Sequence, residues 1–157
     1  MGVAPGFFRS RPLLSAIGAA VLAVAAGPAF AGTVLITADE GKLPPPKGGF
    51  AMGGRGITRG PRIEIADIDK GALHPPVHLQ FKFQAFGGAT IDLTGLQVTY
   101  MRSPSIDLTS RIRPFAQVTG IDIPDAELPP GDHIMRIELR DSDGRTSAAS
   151  FVLVVAP

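Results

Sequence analysis

The chain has no cysteine and no tryptophan, and it has one tyrosine among 157 residues. The missing cysteine excludes disulfides, thiolate zinc sites, iron–sulfur ligation and a cysteine nucleophile. Aromatic residues make up 6% of the sequence, which leaves little to build a stacking platform for sugar rings. Charge of one sign is also lacking. Lys+Arg is 15 against Asp+Glu 14, a formal charge of +1, so no electrostatic case for nucleic acid arises. What is abundant is glycine, at 19, and proline, at 15, a composition poor for long helices and rich in turns. The length suits one domain with a tail.

Residues 1–31 have the order of a secretory signal peptide. Arg9 and Arg11 form a positive start, and Leu13 to Ala26 is an uncharged apolar run. Gly27 and Pro28 break it before the small-x-small site Ala29-Phe30-Ala31. A spanning helix needs about 20 apolar residues, more than this run provides. Ser10 separates the two arginines, so the general secretory route is expected over the twin-arginine one. No cysteine is present to carry a lipid after cleavage. The expected product is extracytoplasmic, periplasmic or secreted, with no membrane span after signal cleavage. Removing Arg9 and Arg11 leaves 13 basic against 14 acidic residues, net −1. Residues 32–62 then carry +3 and residues 63–157 carry −4.

Residues 32–60 open with an apolar piece, Thr33-Val34-Leu35-Ile36-Thr37, followed by a Pro/Gly-rich basic linker. Pro44–Pro46 favour an extended rod, and the glycines after them loosen the chain. The glycines do not form a phosphate loop: G-x-x-x-x-G-K is absent, and Arg59 stands where G-x-G-x-x-G needs glycine. Two roles are open for residues 33–37: an edge strand folded back on the chain's own domain, or a strand added to another molecule with the linker as reach.

From Pro61 to Pro157 short strands alternate with turns. Val77, Leu79, Phe81, Phe83 and Ala85 alternate with His78, Gln80, Lys82 and Gln84, the period-two pattern of a half-buried strand. Ile63–Ile65, Leu96–Tyr100, Met135–Leu139 and Phe151–Val155 repeat it. Pro75-Pro76, Gly87-Gly88, Pro129-Pro130-Gly131 and Asp141-Ser142-Asp143-Gly144 mark turns. Val152 and Val154 make the last strand apolar on both faces, which calls for a covering element. Ser105 to Arg113 breaks the rhythm. It predicts a helical turn capped by Ser105 or Asp107 and ended by Pro114, with Leu108 and Ile112 facing the core. The whole predicts an all-β fold, an antiparallel immunoglobulin-like β-sandwich over residues 61–157.

The run from Leu128 to Thr146 resembles the last two strands of secreted bacterial immunoglobulin-like or fibronectin-type-III-like modules. A Pro-Gly turn leads into an alternating strand, then an Asp-x-x-Gly turn and a final strand. The whole chain looks like secreted bacterial proteins of that single-domain type. The hairpin is also similar to that of periplasmic copper-resistance proteins of the CopC type. Arg145 stands at the place of their motif histidine, and the predicted mature chain begins at Gly32 instead of histidine. Their copper site is therefore not carried over.

Other chemistries are thinly represented. His74 and His78 are separated by Pro75-Pro76, which excludes a helical pair, and extended chain would hold them roughly 13 Å apart. Asp67 and Asp69 in one turn, and Asp141 and Asp143 in another, are candidates for calcium, although aspartate belongs in turns for its own backbone bonding. Ser105, Asp107 and His133 could be drawn as a hydrolase triad, but no G-x-S-x-G elbow supports it. The expectation is therefore a non-catalytic binding or structural module with no cofactor, whose partner is another protein or a cell-envelope component. The alternatives are a metal-handling protein (calcium or copper) and a small extracytoplasmic hydrolase.

Overall fold

A computed structural model describes residues 1–2, 32–48, 60–66 and 71–157. Residues 3–31 of the expected signal segment, linker residues 49–59 and the aspartates at 67 and 69 lie outside the described residues. The sandwich and its first segment belong to one compact unit, Ala31–Pro157.

Two sheets enclose one core. The first holds β1 (Thr33–Val34), β7 (Gly120–Glu127), β3 (Val77–Gln84) and β2 (Arg62–Ile65) in that order, and β6 (Ala116–Gln117) also pairs with β7. The second runs β5 (Ile106–Asp107), β4 (Ile91–Tyr100), β8 (Gly131–Asp141) and β9 (Thr146–Val155). The alternation in the sequence is realised side chain by side chain. Val77, Leu79, Phe81 and Phe83 of β3 are buried, as are Met135, Ile137 and Leu139 of β8, and their polar neighbours point away. Phe81 meets Phe151 of β9 across the core, ring centroids 5.5 Å apart. The all-β sandwich expected from the periodicity is thus the fold observed.

Several details differ from the pattern in the sequence. Not every pairing is antiparallel, because β1 runs parallel to β7, with Thr33 opposite Ala126. Leu35 and Ile36 just beyond it are buried in the core. Residues 33–36 therefore fold back on the chain's own sheet, but beside β7 and not over β9. At its far end β9 is met instead by Leu73, which exchanges backbone hydrogen bonds with Val154 and Ala156. Val154 remains 45% exposed.

The short helical turn expected within 105–113 is present, in the second half of the segment. Ile106–Asp107 is a short strand, α2 covers Thr109–Ile112, and a 3₁₀ turn follows at Arg113–Phe115. Pro114 does not end the helical segment. It sits in the first turn of the 3₁₀ helix, where no donor N–H is required. Asp107 accepts from the Thr109 amide, while Ser105 plays no capping part. Leu108 and Ile112 are fully buried, as expected.

The alternation does not announce β7. Ile121 and Ile123 point inward, Pro124 interrupts, and the next inward residue is Ala126, three positions on. The register against β3 shifts between Val77 and Leu79, the mark of a bulge that puts the alternation out of phase.

Candidate functional site

The outward faces of β2, β3 and β7 form one polar surface. Pairing sets Arg62 beside Gln84, Glu64 beside Lys82, and Gln80 beside Asp122. The β6–β7 hairpin rises beside this face, because the Phe83 amide bonds the Thr119 carbonyl at 2.9 Å. Gly120 makes that approach possible: a β-carbon there would sit 2.0 Å from the Phe81 carbonyl oxygen. The result is a groove of about 510 Å³ lined by Glu64, Gln80, Lys82, Gln84, Gln117 and Thr119, with Asp122 at the edge. Its floor includes Phe81, Phe83 and Ile121, whose buried side chains turn into the core and leave backbone beneath the groove.

The groove's carboxylates have local partners. Arg62 Nε lies 2.8 Å from Glu64, and His78 Nε2 lies 2.5 Å from Asp122. Both pairs are roughly half exposed and contribute little to stability. Three glutamine amides and a threonine hydroxyl remain as hydrogen-bonding groups that both donate and accept, with the single ammonium of Lys82 among them.

The other residues singled out from sequence are placed elsewhere. His78 faces solvent, as its parity in β3 requires, and His74 is exposed before the strand. Asp141 and Asp143 do come together, but around Arg145. Asp141 accepts from the amides of Asp143 and Arg145 and from Arg145 Nε at 2.9 Å. Arg145 Nη2 reaches Asp143 at 2.6 Å and the Phe86 carbonyl at 3.1 Å. The Arg145 guanidinium thus bonds both carboxylates. No group of three or more metal-binding side chains occurs among the described residues, and none of their helices is long and apolar enough to cross a membrane.

Ser105, Asp107 and His133 are not brought together as a triad. Asp107 bonds Thr109, which holds its carboxyl below the usual range. His133 is buried, and both ring nitrogens are engaged. Nε2 lies 2.6 Å from the Pro129 carbonyl, which can only accept, so Nε2 carries the proton. Nδ1 then accepts from the Tyr100 hydroxyl at 2.9 Å. The Tyr100 oxygen accepts in turn from Arg102 Nε at 2.7 Å, and Arg102 Nη2 bonds the Asp132 carbonyl at 2.8 Å. Burial pushes the His133 ring below its ordinary pKa.

A second anchor holds the start of the unit. Thr37 and Glu40 form a capping box on α1 (Ala38–Gly41). Arg111 of α2 takes Glu40 in a two-pronged pair at 2.7 and 2.8 Å and also bonds the Leu35 carbonyl. The Arg111 guanidinium holds the Glu40 carboxyl down at about 2.

Two of these features are within reach of the alternation. His133 and Asp141 stand in phase with Met135, Ile137 and Leu139, so parity alone puts them inside. The groove has no such signal, since it depends on a hairpin the sequence does not announce. No protein-family model matches the chain, nor does any curated protein or solved structure.

Proposed function

We propose that this chain is an extracytoplasmic, non-catalytic binding module of immunoglobulin-like type, and that it holds a neutral, hydroxyl-rich oligosaccharide of the cell envelope in the groove on the first sheet. The observation that carries this reading is the groove itself, where Gln80, Gln84, Gln117 and Thr119 converge over a backbone floor. Amide side chains offer donor and acceptor together, which matches a sugar hydroxyl. The neighbouring carboxylates of Glu64 and Asp122 have their own partners, so an ionic ligand finds no concentrated charge of one sign. The absence of tryptophan means no ring-stacking platform of that kind, and affinity then rests on hydrogen bonds alone. The leader-like order of residues 1–31 supports the location, and the burial of His133 and Tyr100, with both ring nitrogens of His133 engaged inside the fold, supports a non-catalytic role.

Titration calorimetry with a chitooligosaccharide, a β-glucan and an α-glucan oligosaccharide tests the reading. One of the three binds, and the double substitution Gln80→Ala, Gln84→Ala weakens it at least about tenfold with an unchanged melting temperature. Silence with all three up to millimolar concentration, or binding indifferent to the double substitution, overturns it.

A further inference from the structure

We propose that His133 is an acid-operated latch for the first segment of the unit: protonation of its ring loosens the Leu128–His133 corner and undocks residues 33–44 from the sandwich. This device is independent of what occupies the groove.

The geometry admits one protonation state. The Pro129 carbonyl fixes the proton on Nε2, and the Tyr100 hydroxyl fills Nδ1 as a donor. A second ring proton would meet the Tyr100 O–H head on. Were the hydroxyl to turn and receive it, the oxygen would accept twice, from Arg102 and from the ring, and its own hydrogen would lose its acceptor in a buried place. The groups facing the ring are Tyr100 and Arg102 from the end of β4, Asp132 beside it on β8, and the Pro129 carbonyl. Arg102 adds a like charge, and Asp132 offsets it in part. α1 brings Gly41 to this corner, with its own charges occupied elsewhere: Lys42 with Asp39, and Glu40 with Arg111.

The corner carries the first segment directly. A β-carbon on Gly41 would lie 2.8 Å from the Pro129 ring and 3.9 Å from His133 Cε1, so α1 packs against both residues. Past α1, Pro44 is tied by its carbonyl to the Ser103 amide, in the strand-end segment that carries Arg102. Before α1, Leu35 and Ile36 hang from the Glu127 carbonyl, immediately upstream of the corner. Once the corner moves, the segment is still held by the two-residue β1–β7 pairing, by the burial of Leu35 and Ile36 and by the Arg111 clamp on Glu40 and Leu35. Opening would uncover Leu35, Ile36 and the outer edge of β7.

The test is hydrogen exchange on the intact unit, read as the protection of residues 33–44 relative to β4 and β8 in the same sample, so that the pH dependence of intrinsic exchange cancels. The opened population rises by up to about tenfold from pH 8 to pH 5.5, since the released ring titrates near 6.5. His133→Gln, which cannot titrate, abolishes the pH dependence whatever its baseline. Where that variant does not fold, the native protein decides alone. Relative protection that stays flat from pH 8 to 5.5 overturns the proposal. So does an equal fall across β4 and β8, or a fall that survives in His133→Gln.

Discussion

Arg145→Met is the sharpest perturbation of the fold. It keeps an aliphatic stem and removes the guanidinium. The Asp141 side chain beneath it is fully inaccessible to solvent, whereas Arg145 is 31% exposed. Removing one partner of a buried pair costs about 3–5 kcal/mol, because the other charge stays behind. Two amides, those of Asp143 and Arg145, still bond Asp141 Oδ1 in the variant, and water can enter from the exposed side. The loss therefore falls at roughly 2–3 kcal/mol, or about 8–12 °C in melting temperature for a unit of this size. Urea unfolding followed by far-ultraviolet circular dichroism suits a chain without tryptophan. The decisive comparison is with Asp141→Asn/Arg145→Met. If the damage comes from a stranded carboxylate, the double variant is more stable than Arg145→Met alone. If it comes from lost contacts, the double variant is worse. A single-variant loss below about 1 kcal/mol, or a double variant less stable than the single, refutes the reasoning.

Gly120→Ala drives a methyl into the Phe81 carbonyl at a φ of +156°, and a loss of about 3 kcal/mol or failure to fold is expected in thermal denaturation. Tyr100→Phe strips the donor from His133 Nδ1 and the acceptor from Arg102 Nε, and costs about 1–3 kcal/mol by urea titration at pH 7.5. Glu40→Gln costs about 1 kcal/mol at neutral pH, a figure kept small because both partners are partly solvated. The Glu40 carboxyl is held down from 4.5 to about 2, so the native protein's advantage over this variant is complete above pH 4.5 and disappears as pH falls toward 2. Paired acid titrations of the two proteins measure it.

The elements legible in the sequence share one property: a strict period of two over at least four residues. β3 and β8 meet it, and their inward residues follow from the alternation alone. β7 fails it because Pro124 and the bulge break the parity between Ile123 and Ala126. β1, β5 and β6 are two residues each, too short for any period to show. Within β8 parity is informative beyond the apolar residues, but chemistry masks it. A histidine and an aspartate resemble strand ends, and only their partners reveal them as interior groups. Those partners, Tyr100 and Arg102 for one and Arg145 for the other, come from a different strand or from across a turn. The groove lies at the opposite extreme. The alternation correctly turns Gln80, Lys82 and Gln84 toward water, but concavity is a relation between strands, and Gly120 supplies it from a strand the pattern hides.

β8 explains why one end of the molecule should respond to acid and the other should not. Both ends of the strand carry a polar side chain on the inward face, and each is neutralised differently. At the β9 turn the partner is an arginine, which keeps its charge throughout the ordinary pH range. At the Pro129 corner the compensation is a chain of neutral hydrogen bonds whose polarity is fixed by one protonation state of His133. The β9 turn also holds Phe86 and Thr90 of the neighbouring loop, so it locks the strand connections at that end. The Pro129 corner supports a segment bonded to Glu127, Ser103 and Arg111 and packed through Leu35 and Ile36. A proton at His133 would therefore act on that end, where only the two-residue β1 leaves β7, while β2 and β3 keep their pairing. Groove occupancy and the opening of residues 33–44 should accordingly respond to different variables, ligand concentration for one and pH for the other.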